Sequence, residues 1–306
     1  MIRIGTRNSE LALWQARLVE SKLKELEIES IIVPITSDGD LNLEQPLYEM
    51  GITGIFTKTL DVALLNNKID IAVHSLKDVP TLYPKGITPI AYLERGNPHD
   101  ILVVKNSFYK NEIRTIATGS LRRKAFWLFN NPKDKFVDLR GNLQTRLKKI
   151  INDNQIDGAF FAAAGLERCN MLEEIKSLGL EILPLTNCLP APAQGAIMVC
   201  ALQERKDLLE KILPLNNKST EMEVVVERDF LNTIEGGCSS PIGAFAKINN
   251  ENIELTVSIF NLNGTKKIEQ KFKDKIESYL SFGKNSAYTC LKEGAEEILK
   301  EIKGKF

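Results

Sequence analysis

Short apolar runs alternate with amphipathic segments along the first two thirds of the chain. Residues 71–73 form an apolar run that is typical of a strand buried on both faces of a sheet. Leu11, Trp14 and Leu18 recur at helical spacing after Ser9, which is a good N-cap. This alternation predicts an α/β fold. The predicted strands cover 2–5, 31–35, 71–73, 87–93, 113–117, 136–139, 157–164 and 197–200, and the predicted helices 10–20, 56–64, 121–129 and 143–150.

The pattern changes near residue 219. A helix over 221–234 is followed by strands over 243–248, 253–260 and 267–272 and by a closing helix over 288–302. This order predicts a small α+β domain at the C-terminal end. The proline-interrupted stretch 189–196 predicts a hinge between domains.

Arginine recurs where a predicted strand passes through a small or polar turn into a helix. The residues are Arg7, the pair Arg122 and Arg123, and Arg140 with Arg146. One such arginine is usually an ordinary surface residue, but the carboxyl ends of parallel strands converge on one sheet edge. Guanidinium groups bind carboxylates in a fork, at about 1.5–3 kcal/mol per charge-assisted contact. The recurrence therefore predicts a cleft for a ligand with several carboxylates or phosphates, and the lack of a P-loop or GxGxxG motif disfavours a nucleotide.

Four polar residues, His74, Ser75, Lys77 and Asp78, follow the apolar run at 71–73. In an open α/β sheet this is the edge at which ligands bind, and a carboxylate held there can transfer protons or stabilise a cation. Taken alone, the stretch favours the simpler interpretation, a solvated loop with a neighbouring charge pair. Pro80 favours extended geometry at Val79 and makes an immediate helix unfavourable.

Composition narrows the function classes. Forty basic residues balance forty acidic ones among 306, so no global charge recruits nucleic acid or a membrane. No apolar run reaches the roughly 18 residues of a transmembrane helix, and no signal-peptide core follows Met1. Five cysteines without a CxxC pair, and only two histidines, predict no metal site and a reducing, cytoplasmic location.

Cys238 differs from the other four cysteines, which we interpret as core residues. It lies between a double glycine and a proline, in a predicted loop after a helix. An exposed thiol in such a loop is reactive rather than structural. Neither histidine is near it in sequence, so a thiol-protease function lacks support, whereas a covalent anchor for a prosthetic group needs only an accessible thiolate.

Together these residues resemble the porphobilinogen deaminase (hydroxymethylbilane synthase) family. The resemblance runs in collinear order over essentially the whole chain, and the HSxKDVP and GGCxxPIG stretches are the most specific. The motifs are Arg7-x-Ser9-x-Leu11-Ala12-x-x-Gln15, His74-Ser-Leu-Lys-Asp-Val-Pro80, Ser120-Leu-Arg-Arg123, Leu139-Arg-Gly-Asn142, Ala164-Gly-Leu166 and Glu235-Gly-Gly-Cys-x-x-Pro-Ile-Gly243.

The resemblance implies two α/β domains like those of periplasmic binding proteins, with the active cleft between them, and a third domain that carries the cysteine. The implied limits are 1–94 with 195–215, then 98–190, then 218–306. It also implies a transferase that holds a dipyrromethane cofactor as a thioether on Cys238. Four porphobilinogen molecules are deaminated and joined head to tail on this primer, and hydroxymethylbilane is released. A cytoplasmic monomer that binds neither nucleic acid nor membrane is expected.

The resemblance also assigns roles to residues. Asp78 is the expected catalytic carboxylate, which stabilises developing positive charge on the pyrroles and mediates proton transfer. The arginines are expected to bind the acetate and propionate groups of cofactor and substrate, with a second set as weaker candidates. The arginines are Arg7, Arg122, Arg123, Arg140, Arg146 and Arg168, and the second set is Ser9, Ser75, Lys77, Thr118, Ser120 and Gln194.

The chain departs from the family pattern in the glycine-bearing segment 36–54, which we interpret as a lid or a mobile connection. Thr53 stands where the family usually has lysine.

Two other classes of function compete with the enzyme. A non-catalytic binding protein for a polycarboxylate anion shares the cleft but gives Cys238 no role, and an anion-responsive regulator needs a DNA-binding element that the sequence lacks.

Overall fold

The predicted strands of the first two thirds of the chain form two separate five-stranded sheets in a computed structural model, which describes residues 1–36, 57–234 and 240–303. A third, three-stranded sheet lies in the C-terminal part. The strands are β1 (Ile2–Arg7), β2 (Ser30–Ile35), β3 (Ile71–Ser75), β4 (Ile87–Tyr92), β5 (Asp100–Val104), β6 (Thr115–Ala117), β7 (Lys135–Val137), β8 (Gly158–Ala162), β9 (Glu181–Leu185), β10 (Ile197–Leu202), β11 (Ile242–Asn249), β12 (Asn252–Phe260) and β13 (Lys267–Lys275).

Helices cover the two larger sheets and one side of the small one. Their starts follow the sequence signals where a capping side chain is present, as at Ser9, Ser120 and Asn142. The helices are α1 (Glu10–Glu25), α2 (Lys58–Leu65), α3 (Leu121–Asn130), α4 (Leu143–Asn152), α5 (Ala163–Arg168), α6 (Leu172–Ser177), α7 (Lys206–Ile212), α8 (Lys218–Thr233), α9 (Tyr279–Cys290) and α10 (Glu296–Lys303).

The first sheet has the order β2-β1-β3-β10-β4. Strands β1, β2 and β3 are parallel, and β10 runs antiparallel to both β3 and β4. Ile4, Ile71 and Val199 are buried in its centre. Since β10 follows the whole second sheet in sequence, the chain leaves the first domain after β4 and returns to complete it.

The second sheet has the order β7-β6-β8-β5-β9. Strand β6 is parallel to β7 and β8, whereas β5 is antiparallel to β8 and β9. The sequence analysis did not predict β5 or β9. It also placed all the arginine-bearing junctions on one edge of a parallel sheet, which is wrong: Arg7 ends a strand of the first sheet, and the other junctions belong to the second.

The third domain is an antiparallel sheet of β11, β12 and β13 packed on α8, α9 and α10. Phe230, Val257 and Phe282 lie in its core. The single closing helix predicted over 288–302 is wrong. Two helices occur instead, because the chain breaks at Gly294, whose φ of 105° is readily adopted only by glycine.

The extended geometry predicted for Val79, before Pro80, is confirmed, with φ of −87° and ψ of 130°. It follows a single 3₁₀ turn, Leu76–Asp78, which the sequence analysis did not predict. One local prediction near the sheet edges is corrected. The strand predicted over 157–164 ends at Ala162, and Ala163 begins α5, whose alanine, leucine, glutamate and arginine favour helix.

These sheets and helices confirm the predicted fold class of two α/β domains with a small α+β domain. Among the residues that the structure describes, no helix is long and apolar enough to cross a membrane.

Candidate active site

Asp78 ends the 3₁₀ turn that follows the central strand β3, and its side chain is exposed. The first residue of the turn and the residue after it are buried: Leu76 is 0% and Val79 is 4% exposed. The backbone N–H of Leu76 donates to the carbonyl of Ala196 at 3.0 Å, and that of Val79 donates to the carbonyl of Leu76 at 3.1 Å. A carboxylate is thus presented to solvent from a turn whose flanks are fixed in the core.

Arg146 on α4 stands at the centre of a group of charges from both larger domains. Burial and the positive charges of Arg123, Arg140 and Arg7 lower its pKa to about 10, and Asp78 opposes that shift. Its Nε donates to the carbonyl of Gly141 at 2.7 Å. Within the described residues its guanidinium forms no ion pair with a carboxylate. Arg146 therefore holds a positive charge where other cations repel it, which favours an anionic ligand.

Arg7 and Arg140 reach this group from opposite sheets. Arg7 is the last residue of β1, and burial together with its charge lowers the pKa of His74 to about 4. Arg140 follows β7, and partial burial lowers its pKa while Asp138 opposes the shift. Both arginines also interact with other groups of the chain. Arginines from the two sheets therefore act on the same guanidinium, that of Arg146.

Arg122 and Arg123 behave differently, because both are buried against Asp100. Arg122 donates from a terminal nitrogen to Asp100 Oδ2 at 2.7 Å, and Arg123 donates from Nε and a terminal nitrogen to Asp100 Oδ1 at 3.1 and 2.7 Å. Burial alone would raise the pKa of Asp100, which is 0% exposed, but the two guanidinium charges hold it well below its usual range. Much of their charge is therefore compensated within the fold.

Lys77 and Gln194 connect the Asp78 turn to this pair. Lys77 Nζ donates to Gln194 Oε1 at 3.2 Å, and Gln194 Nε2 donates to Asp100 Oδ1 at 2.9 Å and to the carbonyl of Pro98 at 2.7 Å. Burial lowers the pKa of Lys77 to about 8, a shift that Asp78 opposes. Gln194 is almost fully buried, so it acts as a bridge between the first and second domains.

The smaller polar candidates are used largely by the fold. Ser9 and Ser120 accept backbone N–H groups as N-caps, both at 3.4 Å. Thr118 Oγ1 accepts the N–H of Ser120 at 3.2 Å, and Ser75 Oγ lies 2.8 Å from Gln15 Nε2. These residues line the strand ends, with part of their hydrogen-bonding capacity already taken.

Arg168 contacts the domain hinge rather than the Arg146 group. A terminal nitrogen donates to the carbonyl of Gly195 at 2.7 Å, and the guanidinium lies 5.5 Å from the ring centroid of Trp14. Gly96 packs against it so closely that a Cβ there would lie 2.9 Å from an Arg168 nitrogen. Arg168 therefore joins α5 to α1 and the hinge.

Comparison with known proteins identifies the family. Residues 2–210 match the family model described as "Porphobilinogen deaminase, dipyromethane cofactor binding domain", and residues 221–300 match "Porphobilinogen deaminase, C-terminal domain". The chain belongs to the porphobilinogen deaminase family. The resemblance inferred from the motifs is confirmed.

Curated members of the porphobilinogen deaminase family match almost end to end. The porphobilinogen deaminase of Desulfitobacterium hafniense is 40% identical over 99% of this chain and 97% of its own. That of Desulforamulus reducens is 37% identical over 99% and 98%, and that of Francisella tularensis subsp. novicida 37% over 98% and 99%. Among solved structures, an ancestral arginine-binding protein bound to glutamine has a TM-score of 0.40 at 14% identity, covering 70% of this chain and 89% of that one.

Cys238, the predicted cofactor anchor of this porphobilinogen deaminase family member, lies outside the described residues, as does Thr53. The chain on either side is described: α8 ends at Thr233 and β11 begins at Ile242. The other four cysteines fit the interpretation as core residues, since Cys188, Cys200 and Cys290 are buried and Cys169 is half-buried. Burial raises the pKa of the Cys169 thiol to about 11 and that of Cys188 to about 12.

Four charged residues near the site were missed by sequence reasoning. They are Arg95, Asp100, Glu227 and Arg228. Glu227 is fully buried and accepts both terminal nitrogens of Arg95, at 2.7 and 3.0 Å. Asp100 had a readable signal, because a carboxylate at the start of a wholly apolar strand requires a partner. Glu227 and Arg228 had none, since adjacent opposite charges on a helix are normally solvated.

The donor set fits a dipyrromethane. Each of its pyrroles carries two carboxylates, and Arg146 provides a cation that no carboxylate of the described part of the chain pairs with, inside a predominantly cationic group. Capped helix starts at Ser9, Ser120 and Asn142 bring positive helix termini to the same strand ends. Arg7, Arg140 and Arg146 are the residues best placed to hold its carboxylates.

Proposed function

We propose that this chain is a hydroxymethylbilane synthase. It deaminates four porphobilinogen molecules and joins them head to tail on a dipyrromethane primer attached to Cys238, and it releases hydroxymethylbilane and ammonia for tetrapyrrole (heme) synthesis. One observation carries the proposal: an exposed carboxylate, Asp78, lies within electrostatic reach of Arg146, whose other main charge interactions among the described residues are with arginines. A site for a polyanion that becomes cationic during reaction needs both features.

Binding of the substrate follows from the arginines. The acetate and propionate of porphobilinogen are bound by Arg146, Arg140 and Arg7, at about 1.5–3 kcal/mol per charge-assisted contact. Arg122 and Arg123 are proposed as weaker participants, because Asp100 takes much of their hydrogen-bonding capacity. The weaker candidates for contact with the carboxylates are Ser9, Ser75, Thr118, Ser120 and Gln194. Arg168 supports the site from the hinge.

Catalysis follows from Asp78. Loss of ammonia leaves an electron-poor carbon conjugated with the pyrrole nitrogen, and a carboxylate within reach of that N–H stabilises the positive charge. The same carboxylate accepts the proton that the attacking pyrrole carbon loses when the next bond forms, and it returns a proton to the leaving amine of the next porphobilinogen. Lys77, beside it, offsets the negative charge of Asp78 between turnovers. The cofactor, when bound, supplies the nucleophilic pyrrole carbon on which the chain grows.

The remaining assignments are part of the same proposal. The domain limits 1–94 with 195–215, 98–190 and 218–306 are supported by the return of β10 to the first sheet. A cytoplasmic protein that binds no nucleic acid is supported by balanced charge and by cysteines typical of a reducing compartment. The monomeric state is proposed from the family resemblance alone.

The proposal is tested by incubating the purified protein with porphobilinogen. Four ammonia molecules should be released per hydroxymethylbilane, which is detected by its spontaneous cyclisation to a uroporphyrin after oxidation. Binding of porphobilinogen without release of ammonia would instead support a non-catalytic binding protein for a polycarboxylate.

A further inference from the structure

Asp78 is exposed, so packing of its own side chain does not fix its position. Its placement depends on the backbone of residues 76–80. Three contacts hold that backbone: the N–H of Leu76 on Ala196, the Lys77 side chain on Gln194, and a guanidinium from the third domain. The first two come from the hinge, and the third is Arg228 on α8.

Arg228 donates to carbonyl groups on both sides of Asp78. One terminal nitrogen lies 3.3 Å from the carbonyl of Leu76 and 2.9 Å from that of Val79, and the other donates to the carbonyl of Pro80. Arg228 is only 7% exposed. Carbonyls in so buried a place have little water to replace a lost donor, so each contact is expensive to break.

The planar fork of arginine suits this task, because its several N–H groups reach three carbonyls at once, which a single ammonium cannot do as rigidly. The guanidinium also lies 5.2 Å from the ring centroid of Tyr83, which follows the turn. Nearby, Thr81 Oγ1 donates to Asn232 Oδ1 at 3.1 Å, so a second residue of α8 holds the same loop.

The helix that carries Arg228 is itself fixed. Val226 and Phe230 are 0% exposed in the core of the third domain. Glu227, adjacent to Arg228, accepts the N–H of Ala193 at 2.6 Å and that of Ala246 at 2.8 Å, which joins α8 to the hinge and to β11. A displacement of α8 therefore moves the carbonyls that flank Asp78.

We propose that Arg228 is a positioning residue for the reaction: it fixes the turn that presents the Asp78 carboxylate and makes the geometry of that turn depend on the third domain. Arg228 touches no reacting group and acts only through Asp78. The inference rests on the proposed function, because it assumes that Asp78 is the catalytic carboxylate.

Arg228→Met and Arg228→Lys are the informative variants, and Arg114→Met is the matched control. Arg114 also has a guanidinium that is bonded inside the fold, where it donates to Asn131 Oδ1 at 2.7 Å and lies 4.9 Å from the ring centroid of Phe108. Arg114 precedes β6, at the end of this strand that faces away from the arginine-bearing junction. Turnover is measured per mole of cofactor-bearing enzyme, below the melting temperature of every variant. Arg228→Met should lower kcat roughly 10- to 100-fold with little change in KM, since small misplacements of catalytic groups have effects of that order. Arg228→Lys should recover part of the loss, and Arg114→Met should leave kcat unchanged.

A double-mutant cycle separates positioning from general loss of structure. If Arg228 acts through Asp78, Arg228→Met should cause no further loss in an Asp78→Asn background. The same fold-loss in both backgrounds, or kcat within twofold of wild type for Arg228→Met, would overturn the proposal. Should Arg228→Met not fold, the cycle is run with Arg228→Lys. Failure of the wild-type protein to release ammonia would count against the proposed function instead, so the two failures are distinguishable.

Discussion

Two groups of arginines arise from the same sequence pattern and reach different electrostatic states. Arg122 and Arg123 follow β6 and are buried on one carboxylate, Asp100. Arg146, on the helix after β7, has a pKa lowered to about 10 by burial and by the arginines around it. The charge of the first pair is largely compensated within the fold, whereas the second group is the one for which we propose a polyanionic ligand. A strand-to-helix arginine thus indicates the location of a site, and only its partners indicate its use.

The largest expected effect concerns Asp78, the carboxylate that neighbours the Arg146 group. Asp78→Asn keeps the shape of the side chain and removes its charge, so bound cofactor should be retained while turnover falls about 10²- to 10⁴-fold. The measurement is steady-state ammonia release per mole of cofactor. Turnover within a few-fold of wild type would remove Asp78 from the mechanism.

Replacing Asp100 tests the buried pair. Asp100→Asn should leave two guanidinium groups without a charge partner and lower the free energy of unfolding by about 3–5 kcal/mol. Thermal melts under fixed conditions measure the loss. The matched control is Asp70→Asn, on a partly exposed pair with Arg3 at 2.9 Å, which should cost much less. Equal losses for the two variants would show that the buried Asp100 contributes no more to stability than the partly exposed Asp70.

Arg146→Leu should separate binding from stability. Removal of one carboxylate contact should weaken substrate binding by about 10- to 100-fold, seen as a higher KM, since such a contact contributes about 1.5–3 kcal/mol. Stability should stay the same or rise, because a repelled cation is removed. Arg122→Leu should show the opposite pattern: KM should change little, and stability should fall clearly. A large drop in melting temperature for Arg146→Leu would contradict the contrast between the two groups.

The pKa of His74, in the first domain, depends on the positive charge of Arg7. Burial and Arg7 lower its pKa to about 4, whereas the unfolded chain titrates near 6.5. Between pH 6.5 and 4 the unfolded state binds more protons, so this histidine makes stability fall as pH decreases through that window. The chain has two histidines, so NMR titration can follow His74 directly. Arg7→Leu should raise its pKa while leaving it below 6.5, and no change would contradict a direct influence of Arg7.

Local pattern predicted much of the fold. Strands such as β1 and β3, and helices with a capping side chain such as α1 and α4, begin close to their predicted positions, because apolar spacing and caps are local properties. The sequence analysis assigned no element to β5, although its sequence is apolar. The division of the arginines between two sheets was also missed, because strand pairing joins segments distant in sequence, such as β3 and β10.

The sequence predicted which residues belong to the candidate site but not which other residues each of them contacts. Asp78 influences the pKa of Arg146, and the roles predicted for both residues stay predictions. The compensation of Arg122 and Arg123 depends on Asp100, and the support of the Asp78 turn depends on Arg228. Both relationships cross domain or element boundaries that periodicity does not encode, and so the structure was needed to find them.

The most direct test is an intact mass spectrum of the purified protein, with peptide mapping, before and after addition of porphobilinogen. The account predicts a mass above the 34.3 kDa of the sequence by a two-pyrrole adduct on the peptide that contains Cys238. Addition of substrate should then give stepwise covalent increments on that same peptide. An unmodified protein that acquires no adduct at Cys238 with porphobilinogen would contradict the account and leave only a binding function for the arginine-lined cleft.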